Sequence, residues 1–247
     1  MKLIVNGAGG RMGGMLVSLI DASNTHTLVC AADPAFGRDC PFPRVKSLFD
    51  YRGEADCVID FSDRRATRSV CEYAVGRRLP LVVATTGQTA AEREMIASAS
   101  AVVPVFFSAN MSAGAALAAR LVRTAASFFP EAEIEIVETH RSGKIDVPSG
   151  TAVMLADEIK KVRGDAFVTV GRRQGGRKKG EICIHSLRLG GSAGRHEVII
   201  CAGSQTITIC HEAHDRRLFA EGAIAAAEYV VRRLPGIYTM RNLADEN

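Results

Sequence analysis

The sequence predicts an α/β protein with two domains: a doubly wound parallel sheet, and a second, mixed α/β domain with an open, largely antiparallel sheet. Strand-like and helical segments alternate in the first half of the 247 residues, which is typical of parallel strands joined by helices. Strand-like segments then follow one another without intervening helices, which favours antiparallel or mixed pairing. A last helix resumes the first pattern. We therefore expect residues 1–110 and 217–247 to form one domain and residues 111–216 the other.

The elements of the first domain are predicted from periodicity and capping signals. Apolar segments indicate strands at Lys2–Asn6, 25–32, 56–61, 79–85 and 102–107. Helical spacing of apolar residues indicates helices at Arg11–Asp21 and at 67–75. Thr89 and Glu92 form a capping box, which predicts the start of a further helix.

The second domain is expected to begin with a long helix at 114–129. One face of this helix carries Leu117, Leu121, Ala125 and Phe128. Strand patterns follow at 133–137, 181–189, 197–202 and 205–211, with a turn at Gly203-Ser204 joining the last two. The final helix, at 217–232, returns the chain to the first domain.

Composition excludes several classes of protein. Hydrophobic residues make up 47% and charged residues 23%, and a net charge of +4 is too small to suggest nucleic-acid binding. No apolar run approaches the roughly 20 residues that span a bilayer. The first strand leads directly into glycines, unlike a signal peptide, so we expect a cytoplasmic protein without a membrane partner. The 7 cysteines form no C-x-x-C pair and are expected to be buried thiols.

Two local clusters have more than one interpretation. The basic run comprises Arg172, Arg173, Arg177, Lys178 and Lys179. It is expected to be a mobile, solvated loop or a site for an anionic small molecule, because it lacks the aromatic residues of a nucleic-acid platform. His211 and His214 are three residues apart, but no third ligand is evident nearby, so we expect no metal site.

A glycine-rich turn lies between the first strand and the first helix. It consists of Gly7, Ala8, Gly9, Gly10, Arg11, Met12 and Gly13. Glycine permits close approach of a ligand to the backbone, and the helix N-terminus offers N–H groups to a pyrophosphate. Asp33 ends the second predicted strand, where an acid binds the adenosine ribose hydroxyls. A tight turn beside a carboxylate gives the same pattern, but the strand–turn–helix context favours a dinucleotide.

Two further loops follow strands of the same predicted sheet. They contain Ala84, Thr85, Thr86 and Gly87 in one case, and Ser108, Ala109, Asn110 and Met111 in the other. The carboxyl ends of parallel strands form the ligand crevice of such sheets. Small hydroxyl and amide side chains suit a nicotinamide or its ribose, although either loop alone is compatible with a plain connection.

The segment from Glu138 to Ala152 concentrates chemically active residue types. His140, Arg141 and Lys144 precede Pro148, after which Ser149, Gly150 and Thr151 lead into a helix. A helix N-terminus is an anion site, and the basic side chains upstream would reinforce it. A capped helix after a surface loop is the plain alternative. Next to a dinucleotide fold, the cluster predicts a site for a dicarboxylate substrate.

These residues resemble the dihydrodipicolinate reductases (4-hydroxy-tetrahydrodipicolinate reductases) of lysine and diaminopimelate synthesis over nearly the whole chain. The resemblance rests on the glycine turn, Val58-Ile59-Asp60-Phe61-Ser62, Thr85-Thr86-Gly87, Ala109-Asn110-Met111-Ser112, and the segment from His140 to Ala152. Shorter similarities occur at Gly180-Glu181-Ile182, His185-Ser186 and Gly236-Ile237-Tyr238.

The resemblance implies a Rossmann-like domain, a mixed α/β domain, and a homotetramer built by packing the sheets of the second domains. It implies nicotinamide-dependent reduction of the cyclic dicarboxylate 4-hydroxy-tetrahydrodipicolinate to tetrahydrodipicolinate, with loss of water. By the same motif, His140 and Lys144 are the catalytic acid/base residues, and Gly150 and Thr151 hold a substrate carboxylate. The chain departs from the family at Arg141, where a second histidine is common.

Two smaller departures concern the cofactor side. Ala84 stands where a glycine is common, and the stretch between Asp33 and Asp56 is shorter than usual. Asp33 would bind ribose hydroxyls and repel a 2′-phosphate, and Pro34 rather than an arginine follows it. Arg38 could still reach such a phosphate. We therefore expect NADH to be preferred and NADPH tolerated.

Two other functions stay open on the residues alone. One is another nicotinamide-dependent reductase of a small anionic substrate, such as a semialdehyde or homoserine dehydrogenase. A semialdehyde dehydrogenase needs a nucleophilic cysteine, and Cys183, Cys201 and Cys210 lie in strand patterns instead. The other is a non-catalytic dinucleotide-sensing module. The presence of both His140 and Lys144 disfavours it.

Overall fold

The computed structural model describes residues 1–35, 41–172 and 174–246, which fall into two compact units. Unit 1 contains Met1–Ser112 and the C-terminal segment that begins at Arg217, and unit 2 contains Ala113–Arg216. Unit 1 is therefore discontinuous in sequence, with unit 2 inserted between its two segments.

Unit 1 is built on a parallel sheet that has seven strands among the described residues. In chain order they are β1 (Lys2–Asn6), β2 (Thr27–Ala32), β3 (Arg44–Val45), β4 (Cys57–Asp60), β5 (Leu81–Val83), β6 (Pro104–Phe107) and β12 (Gly236–Tyr238). Their spatial order is β12-β6-β5-β4-β1-β2-β3, and every neighbouring pair is parallel. The predicted doubly wound, Rossmann-like sheet is confirmed.

Helices join these strands. They are α1 (Arg11–Asp21), α2 (Thr67–Arg77), α3 (Ala90–Ser100), α6 (Arg217–Val230) and α7 (Met240–Glu246), with single 3-10 turns at Leu48–Asp50 and Arg64–Ala66. The capping box at the start of α3 is confirmed, since Glu92 N donates to Thr89 Oγ1 and Thr89 N donates to Glu92 Oε2. Sequence analysis did not predict β3, β12 or α7.

Unit 2 contains a five-stranded sheet and two helices within the described residues. The strands are β7 (Glu133–His140), β8 (Phe167–Val170), β9 (Glu181–Arg188), β10 (Gly194–Ala202) and β11 (Gln205–Ala213), and the helices are α4 (Ala113–Phe128) and α5 (Gly150–Lys160). The order is β11-β10-β7-β9-β8. Pairing is antiparallel on both sides of β10 but parallel for β7–β9 and β8–β9, so the sheet is mixed rather than largely antiparallel.

The face of α4 that carries Leu117, Leu121 and Phe128 is not the buried face of the helix. Its buried side chains are Ala115, Ala118, Ala119, Val122 and Ala126. Leu117, Leu121 and Phe128 are instead 49%, 47% and 76% exposed. The buried face thus consists mainly of alanine, whose small side chain lets the helix lie close to the sheet.

The expectation that the cysteines are buried holds for only some of them. Cys30, Cys57, Cys71 and Cys183 are buried free thiols as expected, but Cys201 is half-buried and Cys210 is exposed; Cys40 lies outside the described residues. Among the residues that the structure describes, no helix combines the length and apolarity needed to cross a bilayer.

Candidate active site

The glycine turn is packed backbone against backbone. Gly7 has φ +79, and a β-carbon there would lie 2.6 Å from the carbonyl carbon of Phe61, in the loop after β4. A β-carbon at Gly13 would lie 2.0 Å from the carbonyl oxygen of Gly7. Larger residues would therefore displace the turn at both positions, which explains the need for glycine there.

Helix α1 begins without a side-chain cap. Its N-cap residue, Gly10, has no side chain to occupy the N-terminal N–H groups, which makes the helix end a suitable anion site. Asp33 lies beside the turn, because its carboxylate accepts hydrogen bonds from Gly9 N at 3.0 Å and Ala35 N at 2.8 Å. The structure thus brings the predicted ribose-binding acid to the predicted phosphate loop. Arg38 lies outside the described residues.

A buried carboxylate ties together three loops at this edge of the sheet. Asp60, at the end of β4, is 1% exposed. It accepts hydrogen bonds from Asn6 Nδ2 at 2.8 Å, Ser62 Oγ at 2.6 Å and Thr85 Oγ1 at 2.7 Å. Burial raises the pKa of Asp60, while these hydrogen bonds act in the opposite direction. The network fixes the backbone of the Thr85 loop, in which Thr86 is exposed and Ala84 is buried.

The loop after β6 is held by its own side chains. Ser108 Oγ donates to the Asn110 carbonyl oxygen at 2.8 Å, and Asn110 Oδ1 accepts from Ser112 N at 2.9 Å. Met111 is 2% exposed, whereas Ala109 is exposed. Because β5 and β6 are parallel neighbours, this loop and the Thr85 loop leave the sheet at the same edge.

In unit 2, the centre of the candidate site is Glu138, a fully buried carboxylate on β7. Its Oε2 contacts His140 Nδ1, and its Oε1 accepts from Arg188 Nη2 at 2.8 Å and from Ser149 N at 3.3 Å. Burial alone would raise the pKa of Glu138, but Arg188 together with Ser186 and His140 outweighs burial, and that pKa falls to about 2. The carboxylate is therefore ionised at neutral pH.

Three histidines line up next to this carboxylate. The rings of His140 and His196 meet edge to face with centroids 5.1 Å apart, and His196 stacks on His211 at 6.5 Å. Ser149 Oγ lies 3.0 Å from His196 Nε2. Burial lowers the pKa of His140 from 6.5, although the Glu138 carboxylate acts in the opposite direction, and burial together with His140 lowers the pKa of His196 to about 4. Both shifts favour the neutral ring at pH 7.

Lys144 is oriented by the loop that follows β7. Its Nζ lies 2.8 Å from Asp146 Oδ2, and its side chain is 23% exposed. Arg188 Nη2 donates to the Asp146 carbonyl oxygen at 2.7 Å, so one guanidinium links this loop to Glu138. Arg141, also in the loop, is exposed.

Helix α5 begins where the sequence predicts an anion site. Ser149 is its N-cap, and Ser149 Oγ accepts from Ala152 N at 3.2 Å. Gly150 and Thr151 form the start of the first turn, which carries the positive end of the helix dipole. Through Ser149 N, this helix start is hydrogen-bonded to the same Glu138 that contacts His140.

The described residues of the basic run lie in a largely exposed loop of unit 2, as expected, and several of them form ion pairs. Arg172 Nη2 lies 2.8 Å from Glu135 Oε1, which also pairs with Arg177. Lys179 pairs with Glu131 at 3.0 Å. Arg173 lies outside the described residues.

Potential metal ligands come together at two places among the described residues. The groups are Glu135 with Cys183 and His185, and Glu138 with His140 and His196, with ligand atoms within 4.8 Å of one another. Arginines already neutralise both carboxylates, which disfavours a further cation. Neither group includes His211 or His214.

Sequence analysis missed Glu138, Arg188 and His196. Strand pairing brings them together, since His196 is the partner of Glu138 and Arg188 the partner of His140 in the sheet. Only Glu138 had a signal in the sequence: the alternation along β7 places it on the buried face with Ile134 and Ile136.

Comparison with known proteins shows the family to which the chain belongs. Residues 1–111 match the family described as dihydrodipicolinate reductase, N-terminus, and residues 114–243 match dihydrodipicolinate reductase, C-terminus. The chain belongs to the dihydrodipicolinate reductase family. This membership confirms the resemblance drawn from the sequence and the expectation of an oxidoreductase family.

Curated relatives match over nearly their full length. A protein of Caldanaerobacter subterraneus named 4-hydroxy-tetrahydrodipicolinate reductase is 39% identical, with 98% of each chain covered. One of the same name from Staphylococcus haemolyticus is 34% identical, covering 98% of this chain and 100% of that one. The fold is also that of a solved dipicolinate-bound dihydrodipicolinate reductase from Paenisporosarcina sp. TG-14, with a TM-score of 0.83 at 22% identity, covering 98% and 99% of the two chains.

Proposed function

We propose that this chain catalyses the nicotinamide-dependent reduction of 4-hydroxy-tetrahydrodipicolinate to tetrahydrodipicolinate, with loss of water, in lysine and diaminopimelate biosynthesis. The observation that carries the proposal is the full-length similarity to curated relatives of that name, at 39% identity for the Caldanaerobacter protein. The geometry supports it, because the chain combines a glycine turn suited to a dinucleotide with a basic, histidine-containing site suited to a dicarboxylate.

Unit 1 is the proposed dinucleotide-binding domain. The backbone of Gly7–Gly13 would hold the pyrophosphate at the uncapped start of α1, and Asp33 would accept hydrogen bonds from the ribose hydroxyls. The loops that contain Thr85, Thr86 and Ser108–Met111 would hold the nicotinamide end. When bound, the reduced nicotinamide supplies the hydride. The Asp33 carboxylate favours NADH, because it would repel the 2′-phosphate of NADPH.

Unit 2 is the proposed substrate-binding and oligomerisation domain. Gly150 and Thr151, at the start of α5, would bind one substrate carboxylate, and the exposed guanidinium of Arg141 would pair with another. Ser149 stabilises this helix start through its cap. Arginine in place of a second histidine serves binding rather than proton transfer, because guanidinium stays protonated.

Lys144 and His140 are the proposed catalytic residues. Reduction of the conjugated ring leaves negative charge that must be neutralised by a proton. The Lys144 ammonium would stabilise that charge and donate the proton, and the neutral His140 ring would accept hydrogen bonds or a proton nearby. Asp146 keeps the ammonium in place through its ion pair at 2.8 Å.

The proposed assembly is a cytoplasmic homotetramer. Strands of the unit 2 sheet expose apolar side chains, since Val170, Leu187 and Ile207 are 53%, 46% and 36% exposed. The homotetramer itself is what the resemblance to the family implies. The free thiols at the described cysteines agree with a reducing compartment.

The test is a coupled assay in which dihydrodipicolinate synthase supplies the substrate and nicotinamide absorbance reports turnover. We expect substrate-dependent oxidation of NADH, and slower oxidation of NADPH. Dinucleotide binding without turnover would favour a sensing module instead. Turnover with an aspartate semialdehyde alone would favour a different reductase.

A further inference from the structure

We propose that Glu138 is a positioning residue that holds the His140 imidazole with its proton on Nδ1, leaving Nε2 as the hydrogen-bond acceptor toward the substrate. The inference rests on the proposed function and adds a role for a side chain that the sequence motif does not single out. Its basis is the direct contact between Glu138 Oε2 and His140 Nδ1 on the buried face of β7.

Burial and hydrogen bonds hold the Glu138 carboxylate in one orientation. Glu138 is fully buried, and its other oxygen accepts from Arg188 Nη2 at 2.8 Å and Ser149 N at 3.3 Å. An ionised carboxylate only accepts hydrogen bonds, so the histidine nitrogen that faces it must donate. The proton of the neutral ring therefore lies on Nδ1, and the partner at one ring nitrogen determines the state of the other.

The opposite nitrogen of His140 faces a gap that a glycine keeps open. A β-carbon at Gly194 would lie 2.9 Å from His140 Nε2. The remaining charged and titratable groups around the ring are His196, Lys144 and Arg188. With Nε2 unprotonated, His140 cannot supply a proton in its neutral form, so the proton donor at the site is Lys144.

Glu138 also couples the imidazole to the proposed carboxylate site. The same side chain contacts His140 through one oxygen and the N-cap of α5 through the other. A displaced Glu138 would therefore disturb both the acid/base group and the anion site, whereas the dinucleotide loops belong to unit 1.

The experiment compares wild type with Glu138→Gln and with a matched control, Glu135→Gln. Glu135 lies on the same strand, between arginines and His185, but on the other face of the sheet. We measure kcat, and KM for NADH and for 4-hydroxy-tetrahydrodipicolinate. We also measure the ¹⁵N chemical shifts of protein labelled at histidine, in which the His140 signals are identified by their loss in His140→Asn. The amide of Glu138→Gln can donate to Nδ1, which would shift the proton to Nε2.

For wild type at pH 7 we expect a protonated Nδ1 and an unprotonated Nε2 in His140. Glu138→Gln should lower kcat at least about tenfold and change the ¹⁵N shifts of His140, while KM for NADH stays unchanged. Glu135→Gln should leave both kcat and the His140 shifts as in the wild type. A wild-type ring protonated on Nε2, or a folded Glu138→Gln with wild-type kcat, would overturn the proposal. If Glu138→Gln does not fold, the ¹⁵N shifts of the wild type alone test the proposal. Because these shifts can be measured without turnover, the test does not depend on whether the proposed reaction is correct.

Discussion

Gly13 lies so close to Gly7 that a β-carbon on Gly13 would be 2.0 Å from the Gly7 carbonyl oxygen. We predict that Gly13→Ala forces the glycine turn apart and abolishes dinucleotide binding, measured by calorimetric titration. Gly14→Ala is the control, because its β-carbon would meet the Ala8 carbonyl oxygen only at 3.9 Å. Alanine within a helix should even stabilise that variant by about 0.5–1 kcal/mol. Similar affinities for the two variants would refute this account of the turn.

Asp33 should determine the choice of cofactor. Its carboxylate, fixed by Gly9 N and Ala35 N, would repel a 2′-phosphate, so we expect a lower KM for NADH than for NADPH. Asp33→Ala should raise KM for NADH, so that the difference between KM for NADH and KM for NADPH becomes smaller or changes sign. The measurement is steady-state kinetics with each nucleotide, and a much lower KM for NADPH in the wild type would contradict the prediction.

Lys144 should be needed for the chemical step rather than for the fold. We predict that Lys144→Ala binds NADH normally and loses turnover by at least about 10²-fold, the scale of general acid catalysis. Lys144→Arg should also fail, because guanidinium does not release a proton at neutral pH. If Lys144 only attracts the dicarboxylate, the arginine variant would keep near-native kcat and change KM alone.

Gly194 should keep His140 accessible. In Gly194→Ala, the new β-carbon would lie 2.9 Å from His140 Nε2, so we expect kcat to fall while NADH affinity stays unchanged. Gly191→Ala is the control in the loop just before β10, since nothing lies within 4 Å of its β-carbon position. Equal turnover of the two variants would show that Nε2 does not need that space.

His196 should make stability depend on pH. Its pKa is lowered from 6.5 to about 4, first by burial, so between these values the unfolded chain binds a proton that the folded protein does not. The free energy of unfolding therefore falls as pH falls through this window, by at most about 1.4 kcal/mol per pH unit. We predict a smaller loss between pH 7 and pH 5 for His196→Asn in urea titrations. If His196→Asn loses as much unfolding free energy between pH 7 and pH 5 as the wild type, other groups cause the pH dependence.

The sequence was most informative where one local signal determines one element. Helix α1 spans the predicted Arg11–Asp21, and the Thr89 capping box starts α3, because apolar spacing and side-chain caps act within a few residues. Strand β3 has two residues and was missed, since so short a segment is selected by its parallel partner β2 rather than by its own pattern.

The candidate site shows the same limit. The motif residues His140, Lys144 and Ser149 are contiguous enough to be predicted as one site. Arg188 and His196 join that site only through pairing of β7 with β9 and β10, which places residues from distant parts of the chain side by side. The residue pattern within one strand does not predict which residues of distant strands will lie beside it.

The interruption of unit 1 by unit 2 determines the order in which the two can be completed during translation. Helix α6, with Ala220 and Ala223 fully buried, packs against β5 and β6, and β12 pairs with β6; both elements come from the end of the chain. Unit 2 is continuous and can fold once residue 216 has left the ribosome. The glycine turn is therefore synthesised well before α6 and β12, and the unit 1 sheet lacks these two elements throughout the synthesis of unit 2.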